Sequence, residues 1–262
     1  MEYKIGLVLS GGGARGIAHL GILKALEEFG IKPSIISGTS AGAIAGAFYA
    51  GGYSLQETKK IVETSEVFNF SNLLIKKQGL FNMKGFEKMY QAYFPNNSFS
   101  DLQIPLHVTA TDILKGETVC FSSGNLSQAL MASSCIPIVF QPIHFNNTYY
   151  VDGGILNNFP VEPLIDKCDI IIGSHVNSIK IEVNEIHMKD IADRSFHLAM
   201  SDSVRNKISS CHLFIEPPNM SQFSIFDVEK SDELFEYGYK YALSLEKEIK
   251  QLMLLPQQSL VQ

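Results

Sequence analysis

Ile5-Gly-Leu-Val-Leu-Ser-Gly-Gly-Gly-Ala-Arg-Gly-Ile17 begins as a short apolar run and passes at once into a loop of glycines. Such a run, bounded by turn residues, predicts a strand buried on both faces of a parallel sheet. Beyond the loop, Ile17, Leu20, Leu23, Leu26 and Phe29 recur at helical spacing, and Gly30 is placed to end the helix in the left-handed conformation. The order then repeats. After Pro33, Ile35-Ile36 leads into Gly38-Thr-Ser-Ala-Gly42, and Ala43 to Ala50 predicts a small-residue helix stopped by Gly51-Gly52. Two strand–glycine loop–helix units in succession predict a right-handed, mainly parallel α/β layer with its site at the carboxyl ends of the strands.

Farther along, Ser54-Leu-Gln-Glu57 has capping-box spacing and opens a polar helix to about Glu66. Residues 67–100 are rich in aromatic side chains, including Phe68, Phe70, Phe81, Phe86, Tyr90, Phe94 and Phe99, with one helix near Lys84 to Phe94. Two readings stay open for this stretch: a lid or cap over the site, or rings that pack the domain's own core. Pro105 to Ile113 and Glu117 to Ser122 predict a hairpin around Lys115-Gly116. Leu126 to Ser134 predicts a short helix, Tyr149 to Val151 a strand entering Asp152-Gly-Gly154, and Asp169 to Val176 a buried strand. Asp190 to Ser209 and Ser231 to Leu254 read as helices. Residues 1–255 are expected to form a single domain, and 256–262, from Pro256 on, a flexible tail.

The chain has 262 residues, 45% hydrophobic and 18% charged, with a formal net charge of −6. That balance argues against a broad electrostatic grip on nucleic acid or anionic lipid. No apolar run approaches the ~18 residues of a membrane span. The opening lacks the basic, apolar and small-residue regions of a signal peptide, so a cytoplasmic location is expected. Cys120, Cys135, Cys168 and Cys211 are far apart, without a C-x-x-C pair, and are expected to be reduced core thiols. No acidic loop has calcium-ligand spacing.

Gly38-Thr-Ser-Ala-Gly42 fits G-x-S-x-G, in which small neighbours permit the strained strand-to-helix turn that exposes a serine hydroxyl. Its alternative is a packing turn whose Ser40 only caps the helix. Residues 11–16 satisfy G-x-G-x-x-G, but the second strand ends in Ser37-Gly38 where a dinucleotide site wants an acidic residue, and no Gly-Lys-Ser/Thr follows. Three glycines in a row do let backbone N–H groups face a cavity, as an oxyanion hole requires. A serine needs a base. His19, His107 and His144 lack the context of a triad histidine, whereas His175 ends a buried strand and stays a candidate. Asp152 is the other candidate, because its two following glycines permit close approach, although an aspartate of ordinary pKa, about 3.9, is a weak base unless desolvated.

Gly-Gly-Gly-x-Arg-Gly, Gly-x-Ser-x-Gly and Asp-Gly-Gly, in that order, together with Ala132-Ser-Ser-Cys-Ile-Pro137, Phe140 and Pro142, resemble the patatin-like phospholipase family over roughly residues 4 to 175. The resemblance implies a three-layer α/β/α fold and hydrolysis of lipid acyl esters by a Ser-Asp dyad without metal or cofactor. Carried over motif by motif, it makes Ser40 the nucleophile and Asp152 the base. Gly12 and Gly13 become oxyanion donors, Gly11 shapes their loop, and Arg15 steadies that loop or holds a substrate phosphate. Many relatives have Asp-Gly-Ala where this chain has Asp152-Gly153-Gly154. The implied partner is a lipid or acyl-ester substrate, met at a membrane periphery. An acyltransferase and a non-catalytic lipid-binding module are the alternatives; Thr39 stands where the related malonyl-transferases place histidine.

Overall fold

The computed structural model describes residues 3–65, 83–178 and 204–258. These form one eight-stranded mixed sheet: β1 (Ile5–Leu9), β2 (Ile35–Thr39), β3 (Leu106–Asp112), β4 (Glu117–Phe121), β5 (Ile143–Phe145), β6 (Thr148–Asp152), β7 (Ile170–Ser174) and β8 (Leu213–Ile215). Strands β3, β2, β1, β7 and β8 run parallel in that spatial order, so the two βα units do build a parallel layer. Strand alternation divides the core. Leu7 and Leu9 enter a large cluster beneath the helices, while Val8 turns to a smaller one with Phe159, Val161, Leu164 and Ile171 on the opposite face.

The antiparallel strands explain where the site forms. Strand β4 pairs with Val108–Asp112 and so occupies one edge of β3. The other edge is shared: β2 pairs with its first part, ending at Thr39↔Thr109, and β6 takes over at Asp152↔Ala110. Strand β6 therefore runs head-on toward the end of β2. The residue that follows β2 is Ser40 and the residue that ends β6 is Asp152.

Among the described residues the α-helices are α1 (Ile17–Glu28), α2 (Ala41–Ala50), α3 (Leu55–Thr64), α4 (Lys84–Tyr93), α5 (Leu126–Ser133), α6 (Ser231–Ser244) and α7 (Glu246–Gln258). The expected capping box forms at α3, with Ser54 Oγ accepting from Glu57 N–H at 3.2 Å and Glu57 Oε2 accepting from Ser54 N–H at 2.9 Å. Three expectations need correction. The single helix over Ser231 to Leu254 is two, separated at Leu245, whose N–H returns to the Ala242 carbonyl in a tighter turn. Helix α7 passes Pro256 and reaches Gln258; proline's fixed φ is helical, and the lost hydrogen bond and ring clash it brings fall in the helix's last turn. Cys120 is exposed on β4, whereas Cys135 alone of the four is fully buried; the reason is that β4 lies off the main path of the sheet and shows a face to solvent. In the aromatic stretch, Phe86, Tyr90, Phe94 and Phe99 are buried in the main core. Its part over 67–82, with Phe68, Phe70 and Phe81, lies outside the described residues, as does most of the expected helix over Asp190 to Ser209.

Candidate active site

Ser40 has φ 52° and ψ −121°, a conformation found in no regular element and costing on the order of 1–3 kcal/mol. The surroundings over-determine it. Its N–H donates to Ser133 Oγ at 2.8 Å, and the Ser133 hydroxyl in turn donates to the Thr109 carbonyl at 2.6 Å. A Cβ on Gly42 would collide with the carbonyl oxygens of Leu9 and Ser10, so only glycine lets α2 start this close to the end of β1.

The Ser40 hydroxyl donates to Asp152 Oδ2 at 2.7 Å. Asp152 Oδ1 accepts from Gly154 N–H at 2.8 Å, its backbone N–H donates to the Cys135 carbonyl at 2.9 Å, and its carbonyl accepts from the Thr111 hydroxyl at 3.0 Å. Both backbone groups and both carboxyl oxygens are thus engaged. Burial pushes the carboxyl up from 3.8 to about 6, against the opposing pull of the Gly154 and Ser40 hydrogen bonds. An aspartate so placed is a much better proton acceptor than one in water.

The glycine loop is fixed from residues remote in sequence. Gly11 N–H donates to the Asn158 carbonyl at 3.2 Å, the Asn177 amide donates to the Gly11 carbonyl, and Ala14 N–H donates to the Ile225 carbonyl at 2.8 Å. Gly12 and Gly13 N–H donate to no acceptor among the described residues. Gly13 also lines the same cavity as Ser40. Arg15 is buried; its Nε donates to the Phe223 carbonyl at 2.8 Å and its Nη1 to Asn177 Oδ1 at 3.4 Å. Those contacts describe a loop brace.

Of the described histidines, His19 and His175 are occupied elsewhere. A carbonyl can only accept, so His19 Nε2 donates to Ser10 O at 2.9 Å and Nδ1 accepts the Ser174 hydroxyl at 2.7 Å. Burial lowers its pKa to about 4, keeping it a neutral tie between the ends of β1 and β7. His175 Nδ1 pairs with Glu216 Oε1 at 2.6 Å and its ring stacks on Phe214. Among the described residues the structure thus brings Ser40 to Asp152 rather than to a histidine. His107 lies on β3 and His144 on β5.

Beside Ser40 opens a cavity. Its walls are mainly apolar, with Ile17 and Leu20 from α1, Ile44 from α2, Val62 from α3, Phe86 from α4, and Ile136. Ser133, Asn177 and the Phe223–Ile225 carbonyls were not singled out from sequence. Ser133 lies inside the Ala132–Pro137 motif and was within reach; a backbone carbonyl carries no sequence signal at all.

A family model described as patatin-like phospholipase matches residues 7–165. Patatin-like phospholipase domain-containing protein 6 of Homo sapiens is 27% identical over 90% of this chain and 20% of its own length. Lysophospholipase NTE1 of Kluyveromyces lactis is 28% identical over 90% of this chain and 19% of its own length. The chain therefore spans about a fifth of these curated relatives. Among solved structures, VipD from Legionella pneumophila is similar with a TM-score of 0.58 and 17% identity, over 96% of this chain and 67% of that one.

Proposed function

The chain belongs to the patatin-like phospholipase family, and from that premise we propose that it is a serine acyl hydrolase cleaving lipid acyl esters, a phospholipase A or lysophospholipase-type esterase. The hydrogen bond from Ser40 Oγ to Asp152 Oδ2, at 2.7 Å and in a buried site, is the observation that carries this reading. Ser40 attacks the ester carbonyl while its proton passes to Asp152. Gly12 and Gly13 N–H stabilise the oxyanion, in a loop shaped at Gly11 and braced by Arg15. Collapse expels the alcohol, which takes the proton from Asp152 and leaves an acyl-enzyme. Water then attacks the acyl carbon, giving one proton to Asp152, and the acid departs as Ser40 regains its hydrogen. The apolar cavity would hold the acyl chain. No step requires a cofactor or metal.

Residues 1–255 are taken as one such domain, working in the cytoplasm against lipid at a membrane periphery; no helix among the described residues is long and apolar enough to cross a membrane. The test compares the parent with Ser40→Ala and Asp152→Asn in hydrolysis of a medium-chain p-nitrophenyl ester and in labelling by a fluorophosphonate. The parent should turn over and label, Ser40→Ala should do neither, and Asp152→Asn should lose turnover. A folded parent that neither labels nor turns over would sink the hydrolase reading in favour of a lipid-binding module, and full activity in Asp152→Asn would move the base elsewhere.

A further inference from the structure

Most soluble surfaces scatter their exposed apolar side chains. Among the described residues, five of the eight large exposed ones lie toward one edge. Ile138 is 90% exposed and has φ 71°, a left-handed conformation that a β-branched residue resists. It stands between Ile136, which lines the cavity beside Ser40, and Phe140, whose ring packs edge-on against Phe86 of the same cavity. Leu114 is 66% exposed at the β3–β4 turn, next to exposed Ile113.

The sheet register places that turn on the same side of the molecule. Ala110 sits opposite Asp152, and Ile113 lies three residues farther in the direction that leaves the sheet's carboxyl edge, about 10 Å beyond at ~3.3 Å per residue. Ile113 N–H donates to the Tyr149 carbonyl at 3.0 Å, which brings exposed Tyr149 to the same height. Leu156, also exposed, begins four residues after Asp152. By contrast, exposed Ile165 and Ile208 precede β7 and β8 and so lie toward the opposite, amino edge, and exposed Leu254 stands on α7. The other five exposed apolar residues therefore lie toward the carboxyl edge of the sheet, the edge at which Ser40 and the apolar cavity also lie.

We propose that Ile138 and the Ile113-Leu114 turn, with Tyr149 and Leu156, form a docking surface that enters the interfacial layer of a lipid membrane and brings the mouth of the cavity to it. This rests on the hydrolase reading for its purpose but not for its test. A lipid surface suits the patch better than a protein partner because an ester with a long acyl chain has to leave such a surface to reach the apolar cavity without crossing water. With a net charge of −6 and only Lys115 as a cation in the turn, apolar insertion rather than attraction to anionic lipid drives the contact. Zwitterionic phosphatidylcholine is accordingly the membrane of choice, with little dependence on salt.

The chain contains no tryptophan, so Ile138→Trp supplies a sole fluorescent reporter, and Leu114→Trp, at an unstrained position, supplies another should the first fail to fold. With phosphatidylcholine vesicles the emission should shift to the blue equally at low and high salt. Leu114→Asp should bind those vesicles roughly tenfold more weakly, the scale of one buried leucine. It should lose vesicle-borne ester hydrolysis in proportion and keep turnover of a water-soluble short-chain ester within about twofold. No shift from either reporter, or equal loss on both substrates, overturns the proposal. Blue emission without vesicles, accompanied by a concentration-dependent dimer on gel filtration, also overturns it and assigns the face to a second copy. A parent that binds vesicles yet hydrolyses neither ester would leave the docking surface standing and remove the hydrolase reading instead.

Discussion

Ser40 and Asp152 meet through one hydrogen bond, yet the two turns that deliver them are built on opposite principles. The serine turn stores its cost in the backbone, at φ 52° and ψ −121°, inside a glycine frame that admits no side chain. The aspartate turn keeps a negative φ, at φ −46° and ψ 131°, and stores its cost in a buried charge. One half of the site is held against steric strain and the other against desolvation. Damage to the two halves should therefore affect stability with opposite signs.

The largest effect is expected at the backbone-strained half. Gly42→Ala places a methyl against two main-chain carbonyls that belong to the end of β1, where neither the strand nor α2 can yield. The loss should exceed the ~1–3 kcal/mol of ordinary overpacking and remove folded protein, read as soluble yield and thermal melting. A variant that melts like the parent and labels with fluorophosphonate would show that the turn is not sterically specified.

At the charged half, Asp152→Asn should cost about 10²–10⁴ in kcat, the usual contribution of a general base, without unfolding the protein. It should in fact stabilise it. Because burial raises the folded-state pKa from 3.8 to about 6, the native form binds this proton more tightly than the unfolded chain. The favourable contribution is complete below about pH 4 and is lost as pH rises through about 6, leaving a deficit on the order of 3 kcal/mol above that. Asparagine escapes the deficit. The melting temperature of Asp152→Asn should exceed the parent's at pH 8, and the gap should close by about pH 4. Using the difference matters, because His19, held near 4 by burial, shifts whole-protein stability in the reverse sense over a similar range: its contribution is present above 6.5 and is lost as pH falls. A gap that does not vary with pH would place the raised carboxyl elsewhere.

The same aspartate sets a smaller, continuous effect in the parent. Acceptance of the Ser40 proton requires the carboxylate, so kcat/KM should rise with pH through about 6 and level off above it. At one unit below the midpoint about a tenth of the plateau should remain. A midpoint near an unperturbed 3.9 would mean that water reaches Asp152 in solution and the buried-charge half of the comparison would fall.

How far each half could be read in sequence follows from the same distinction. The serine turn is local: strand, Gly38, Ser40, Gly42 and helix are consecutive, so periodicity and glycine spacing located it, along with β1, α1 and the capping box of α3. The aspartate turn is topological. Asp152-Gly153-Gly154 by itself is a common turn, and its meaning depends on β6 taking over the edge of β3 where β2 leaves off, a register that no local pattern encodes. Resemblance to a family supplied what spacing lacked. The same reasoning explains why the braces at Asn177, Phe223 and Ile225 were illegible: they reach the glycine loop from more than 150 residues away, and two of them act through carbonyls that any residue type carries. The separation at Leu245 is not legible in sequence because both helices continue one apolar pattern across it.

Ser133 is where the two halves can be tested for independence. Its hydroxyl accepts Ser40 N–H and donates to Thr109 O, one residue before the Ala110 that pairs with Asp152, so it ties the strained turn to the strand that carries the aspartate. Ser133→Ala leaves a buried donor and a buried acceptor unpaired, a cost of about 1–3 kcal/mol. If the strain at Ser40 is held mainly by this tie, the loss should appear in kcat and in fluorophosphonate labelling, by roughly ten- to a hundredfold, with KM and the pH midpoint near 6 unchanged, because Asp152 keeps its own hydrogen bonds. Threonine at 133 should restore much of the rate, as it keeps the hydroxyl. A displaced midpoint in Ser133→Ala would show instead that the backbone turn helps set the environment of the charge, and that the halves are coupled through β3.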